Sequence, residues 1–316
     1  MFSMAKKSDQ EPLGADLSSL AGVRLRLNEP LARYTSMKIG GPADYFIEVD
    51  DDKALAAVLS ALRRHQVPLH LLGNGSNVLV SDRGVRGAVI HLAGEFKKID
   101  WREGGETIEV EVGAAFAVTQ LVRQAARKGY AGLEFAEGIP GSVGGALVMN
   151  AGAYGSEFEK VVERVDAIDL AGAPVVFPRE QMTFSYRDSH LPAGTVVTRV
   201  TLRLRREEAL RVGSKLRELV GKRKSSQPSG FPNSGSMFRN PPGDFAGRLI
   251  EAAGLKGQRI GGAQIAERHA NFIVNLGGAR AIEVRQLMEL AQSEVQRRFN
   301  ITLIAEVKFL GEWADH

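Results

Sequence analysis

The sequence predicts an α+β protein with two bodies, and three observations lead there. Short apolar strands of period two alternate along the chain with amphipathic helices of period 3.6. Glycine gathers in two turns, yet neither carries the GxGxxG fingerprint of a doubly wound nucleotide fold. Gly73 and Gly75 lack a third glycine, and Gly138, Gly141 and Gly144 have the wrong spacing. Composition shifts at residue 205, where a charged helix and a proline-bearing loop follow the strands.

In chain order, residues 1–20 read as a short mobile tail, because Lys6 and Lys7 precede no apolar h-region. Residues 43–49 (ADYFIEV) read as a strand. Asp51 caps a helix through Gln66, with Leu55, Val58, Leu59 and Leu62 on one face. Strands follow at residues 69–72, 77–80, 87–91 and 107–112, and a helix over 115–128 stops at Gly129. Strands near 161–170 and 195–204 complete the first body, and the boundary falls at 205–206. Helix 207–224 then leads into the loop SSQPSGFPNSGSMFRNPPG. Helix 245–253, strand 271–275, helix 281–299 and strand 302–310 form the remainder. The last helix places Val284, Leu287, Met288, Ala291 and Val295 on one stripe.

The chain has 316 residues, 44% hydrophobic and 25% charged, which fits a soluble protein of two or three domains. No apolar run approaches the ~20 residues of a membrane span, so a cytoplasmic protein is expected. The absence of cysteine excludes disulfides, thiol nucleophiles and cysteine metal sites, and the six histidines form no metal spacing. A net charge of +4 gives no ground for nucleic-acid binding. The basic run Lys222, Arg223, Lys224 reads as a solvated helix end or as a phosphate contact.

Chemistry is suggested first by glycine. Residues 132–155 (GLEFAEGIPGSVGGALVMNAGAYG) carry no charge between Glu137 and Tyr154, and residues 71–80 (LLGNGSNVLV) hold a second glycine turn. Glycine costs chain entropy, and it supplies close backbone approach and positive φ for amides converging on an anion. Each turn alone is equally the mark of a tight bend; two together point to a dinucleotide such as FAD. Three polar residues stand out besides. Arg187 lies between aromatics and a turn in FSYRDSHL, a place for a cation–π or ion-pair residue as much as for a functional one. Ser236 sits in NSGSMFRN, where turn chemistry is the plain reading. Glu306 shares a strand face with Ile304 and Lys308, about 7 Å from the lysine, and a solvated face is the plain reading there. Leu303, Ala305, Val307 and Phe309 form the opposite face.

Taken in order, YTSMKIGGPADYF, LGNGSNVLVSDRGVRG, the 132–155 segment, YRDS, GSMFRNPPGDFAGRLIEAAGL, GGAQIAERHANFIVN and EVKFLG closely resemble the UDP-N-acetylenolpyruvoylglucosamine reductases, from about residue 34 to 311. The short separation of Arg187 and Ser236 resembles the family's type II form. The resemblance implies a PCMH-type, vanillyl-alcohol-oxidase-like FAD-binding domain over residues 21–205, with subdomains 21–91 and 92–205, and a C-terminal substrate domain over 206–316. FAD would be held by Gly73, Asn74, Gly75, Ser76 and Asn77 of the first turn. From the second segment, Gly138, Ile139, Pro140, Gly141, Ser142, Gly144, Gly145, Asn150, Gly152 and Ala153 would join them. With no cysteine and no histidine in these motifs, attachment is expected to be non-covalent.

The implied reaction is reduction of UDP-N-acetylglucosamine enolpyruvate by NADPH through the flavin, completing UDP-N-acetylmuramate for peptidoglycan. Arg187 and Glu306 match the residues that stabilise the enolate, and a fixed guanidinium suits a carboxylate whose charge grows. Ser236 matches the proton donor. Tyr154, Arg223, Asn240, His269 and Lys308 fall at substrate-contacting positions. Ser226 stands where the family often has lysine, and Lys308 replaces a frequent arginine without its bidentate fork. A monomer without a metal is expected. The competing readings are a sugar or alcohol oxidase of the same fold, and a non-catalytic nucleotide-binding protein.

Overall fold

Helices form where a cap and an apolar stripe coincide. The computed structural model describes residues 7–313, and its α-helices are α1 (Lys7–Ser18), α2 (Asp52–Arg64), α3 (Val118–Lys128), α4 (Val143–Val148), α5 (Ala209–Ser226), α6 (Ala246–Ala252) and α7 (Ala281–Phe299). The Asp51 carboxylate accepts the Ala54 amide at 2.8 Å and starts α2. Gly129, left-handed at φ 73°, ends α3, and Asn300 at φ 55° ends α7.

The chain folds as two units. The first takes the residues up to Asn28, Asp44–Gly73 and Gly87–Leu219; the second takes Glu29–Ala43, Asn74–Arg86 and the chain from Val220 onward. This division is interleaved, whereas the sequence suggests one boundary at 205–206. Its physical cause lies within the second unit. The strand Val78–Val80 pairs in parallel with Lys308–Leu310, and the Asp82 carboxylate caps α7 through the amides of Ala281 and Ile282 at 2.8 and 3.0 Å. Early residues are thereby tied into the late part of the chain.

In the first unit an antiparallel sheet runs in the order Pro174–Pro178, Val162–Asp169, Thr195–Arg206, Thr107–Gly113, Ile99–Gly104, with Tyr130–Ala131 beside the end of Thr195–Arg206. Ile108, Val110 and Val112 bury one face with Val200, Leu202 and Leu204, against Leu121, Val122 and Ala125 of α3 and Leu147 of α4. A smaller sheet orders Val23–Pro30, Pro42–Val49, Val85–Leu92 and Leu69–Leu71. Its Ile47, Val49 and Ile90 pack with Leu55, Val58 and Leu62 of α2. The expected tail differs from what is found. Residues 1–6 lie outside the described residues, but residues 7–18 form α1, whose Leu13 and Leu17 are fully buried in this same cluster. Two leucines one turn apart give the segment a face to bury, which a charge-based reading overlooks.

In the second unit a sheet orders Asn233–Ser236, Phe272–Asn275, Ala263–Ile265 and Arg259–Ile260. Leu249 and Ile250 of α6 and Val284, Leu287, Met288, Ala291 and Val295 of α7 form its core. The strand expected over 302–310 shrinks to Lys308–Leu310. Residues 302–307 meet the irregular 237–239 segment through one isolated bridge, Phe238 to Ala305, so no ladder extends along them. Leu303 and Val307 are buried as expected, whereas Phe309 is 43% exposed. Among the described residues no helix is long and apolar enough to cross a membrane.

Candidate active site

In the first unit Gly73 lies against Ser142 of the second glycine segment. A Cβ at Gly73 would stand 2.7 Å from the Ser142 hydroxyl, so only glycine fits there. Buried Ser142 caps α4 by accepting the Gly145 amide at 3.3 Å, and Gly138 and Gly141 before it adopt φ of +73° and +126°. Gly73, Asn74, Pro140 and Gly145 are exposed residues. Among the described residues the amides of Gly73, Asn74 and Gly75 donate to no backbone carbonyl, as an anion cradle requires. Within the first unit, Gly73 and the Gly138–Ser142 bend fit a dinucleotide phosphate.

Other residues expected to hold the cofactor serve packing. The Gly144 amide is spent on the Ala114 carbonyl at 2.8 Å, and a Cβ there would meet the Ala114 methyl at 2.8 Å. Gly152 and Ala153 form a hairpin with Ser156 and Glu157, and a Cβ on Gly152 would lie 2.6 Å from Glu157 Cγ. Ile139 donates its amide to Ala136, and Pro140 has none to give. Asn150 is fully buried and its side chain is engaged by Glu157, Glu159 and Ser185. Its side-chain amide is therefore committed inside the protein.

Arg187 lies in the same unit on a tight turn. Ser185 and Asp188 exchange amide hydrogen bonds of 2.9 and 3.1 Å, leaving Tyr186 and Arg187 at the tip. Arg187 takes φ +63°, donates to the Gly152 carbonyl at 3.3 Å, and holds its guanidinium 4.8 Å from the Tyr186 ring centroid. Tyr154, at φ +54°, is 45% exposed and gives its hydroxyl to the Leu219 carbonyl at 3.3 Å.

In the second unit the backbone joins Ser236 to Glu306. Ser236 ends the strand Asn233–Ser236 opposite Phe272, and the carbonyl of the next residue, Met237, accepts the Glu306 amide at 2.8 Å. Asn271, buried, fixes this junction. Its side chain accepts the Phe238 amide at 2.9 Å and donates to the Phe238 carbonyl at 2.8 Å, while its own carbonyl takes the Met237 amide. Sequence reasoning missed Asn271; an amide inside the apolar run NFIV was the available signal. Asn77 of the first glycine turn is bound here too, donating its side chain to the Glu306 carbonyl at 3.2 Å and accepting the Lys308 amide at 3.0 Å. Gly75 in that turn needs its φ of +60°, and a Cβ would stand 2.2 Å from the Tyr34 carbonyl oxygen.

Ser236, Asn240 and His269 line one cavity of about 350 Å³ with Arg248, Arg268 and Asn271. Asn240 accepts the Ala246 amide at 3.1 Å through Oδ1, which turns its NH₂ group outward from that bond. His269 Nδ1 accepts the Asn271 amide at 3.3 Å, so the ring proton sits on Nε2. Burial pushes the His269 pKa down and keeps the ring neutral. Arg223 lies near the end of α5, half-buried, and Lys308 is exposed on its short strand. Arg187 belongs to one unit and the Ser236–Glu306 pair to the other.

Two family models match successive parts of the chain. Residues 43–177 match a FAD binding domain, and residues 227–310 match the C-terminal domain of UDP-N-acetylenolpyruvoylglucosamine reductase. The chain is therefore a FAD-binding protein carrying a second, reductase-type domain. A UDP-N-acetylenolpyruvoylglucosamine reductase 2 from Symbiobacterium thermophilum is 46% identical over 289 residues, covering 91% of this chain and 92% of that protein. A reductase of the same name from Caldanaerobacter subterraneus is 42% identical over 290 residues, covering 92% and 94%. The crystal structure of UDP-N-acetylenolpyruvylglucosamine reductase from Thermus caldophilus superposes with a TM-score of 0.78 at 41% identity, covering 91% of this chain and 98% of that one. The chain belongs to the UDP-N-acetylenolpyruvoylglucosamine reductase family.

Proposed function

We propose that the protein uses FAD and NADPH to reduce the enolpyruvyl group of UDP-N-acetylglucosamine enolpyruvate, yielding UDP-N-acetylmuramate for peptidoglycan synthesis in the cytoplasm. The observation that carries this reading is the backbone junction of Ser236 and Glu306 at Met237, beside a cavity lined with donors. Exposed Gly73 and the Gly138–Ser142 bend would hold the FAD pyrophosphate non-covalently. Bound there, FAD would supply hydride transfer from NADPH to the enolpyruvyl double bond.

The chain's own residues do the rest. Arg187, with Glu306, stabilises the charge that grows on the substrate carboxylate. The Ser236 hydroxyl delivers a proton to the carbanionic carbon, a weak acid meeting a strong base. Neutral His269 donates through Nε2–H and Asn240 through its NH₂ group to the nucleotide, so the cavity binds an anion without adding a titrating charge. Arg223, Lys308 and the Tyr154 ring add further contacts to the substrate. The enzyme acts as a monomer.

Ser236→Ala tests the reading. Flavin reduction by NADPH is expected to stay near normal while reoxidation by the enolpyruvyl nucleotide slows at least ~10²-fold. Equal slowing of both half-reactions would refute the proton-donor role.

A further inference from the structure

Asn150 sits in the glycine segment, and its side chain bridges three stretches of the first unit. It is fully buried at φ +39°. Its Nδ2 donates to Glu157 Oε2 at 2.8 Å and to the Ser185 carbonyl at 3.1 Å, and its Oδ1 accepts the Glu159 amide at 3.1 Å. Both amide hydrogens are thus in use. The bond to Ser185 bears on chemistry. That carbonyl belongs to the stem of the two-residue turn whose tip is Tyr186 and Arg187. Arg187 is held at φ +63°, which a non-glycine residue keeps only when its surroundings impose it. Ser189 braces the turn's far side, its amide meeting the Val148 carbonyl at 3.3 Å.

We propose that Asn150 is a positioning residue for Arg187, clamping the base of the Ser185–Asp188 turn so that the guanidinium is set before substrate arrives. The proposal rests on the role given to Arg187 above. Charge stabilisation works through groups already in place, so a loose turn costs rate without removing the arginine. Two part-buried hydrogen bonds, to a carboxylate and a carbonyl, form a stiff clamp. Neither an aspartate nor an alanine side chain at this position makes either bond.

The test uses the full FAD-loaded protein with Asn150→Asp, which keeps the shape and tolerates positive φ but has no N–H donors. Asn150→Ala is the second variant should the first fold poorly. Hydrogen exchange at the Ser185 and Asp188 amides is expected to speed up at least ~10-fold. Flavin reduction by NADPH should stay within ~2-fold, and reoxidation by the enolpyruvyl nucleotide should fall ~10- to 10²-fold. In an Arg187→Ala background the Asn150 substitution should cause no further fall. Unchanged exchange, equal slowing of both half-reactions, or a full additional loss in the Arg187→Ala background would each overturn the proposal. Faster exchange with full turnover in Arg187→Ala itself would overturn the role of Arg187 and the proposal together, and the exchange rates distinguish that case from a clamp that was never there.

Discussion

Arg187 and His91 show two ways in which a single side chain acts through its setting. Arg187 owes its place to backbone: a tight turn, a positive φ, and the Gly152 carbonyl that accepts its Nη2 hydrogen. Arg187→Ala is expected to slow the oxidative half-reaction at least ~10²-fold in stopped-flow absorbance, and unchanged turnover would make the residue structural only. His91, beside the first glycine turn, gives Nδ1–H to the Leu72 carbonyl at 2.8 Å and stacks on Phe46 at 5.9 Å. Burial holds its pKa below the ordinary imidazole value, and His269 is lowered by burial as well. For a lowered histidine the unfolded chain binds the proton more readily, so stability rises with pH through the window below ~6.5 and falls as pH drops through it. Urea melts at pH 7.5 and 5.5 should show lower stability at the acid value, with a smaller drop in His91→Gln; an equal drop in the variant would remove His91 as a cause. The type of each site residue was legible in the sequence. What Asn150 and Asn271 bind was not, because an amide in a glycine segment or an apolar run does not show which distant carbonyl it will meet.

Elements were legible where their signals are local. Asp51 before an amphipathic run and Gly129 after one mark α2 and α3 correctly because a cap is a matter of a few neighbouring residues. The strand over 302–310 was read too long because alternation cannot show whether a partner is a strand or the loop at 237–239. Helix α1 was missed because its Leu13 and Leu17 are worth something only once α2 offers a surface. Leu17→Ala is therefore expected to cost about 2–5 kcal/mol in denaturant unfolding, whereas a true tail would lose nothing measurable. The first glycine turn makes a second prediction at this scale. At Gly75 an alanine must adopt φ +60° with its Cβ 2.2 Å from the Tyr34 oxygen, so the turn has to move. Gly75→Ala should release FAD on gel filtration while far-UV circular dichroism keeps its native shape; full retention of flavin would separate this turn from cofactor binding.

At the scale of the whole molecule, two units are threaded by one chain that leaves and re-enters each of them. The parallel pair Val78–Val80 with Lys308–Leu310 and the Asp82 cap on α7 link residues about two hundred positions apart, which no local pattern could announce. The glycine turns and the motif order nevertheless carried the flavoenzyme reading, since they depend on short stretches of chain. The most direct test is anaerobic visible spectroscopy of the purified protein, with NADPH added first and UDP-N-acetylglucosamine enolpyruvate second. A yellow protein that bleaches with NADPH and recolours with the enolpyruvyl nucleotide is the predicted result. A yellow protein that bleaches and recolours only in air, or a colourless one that cannot be reconstituted with FAD, would contradict it.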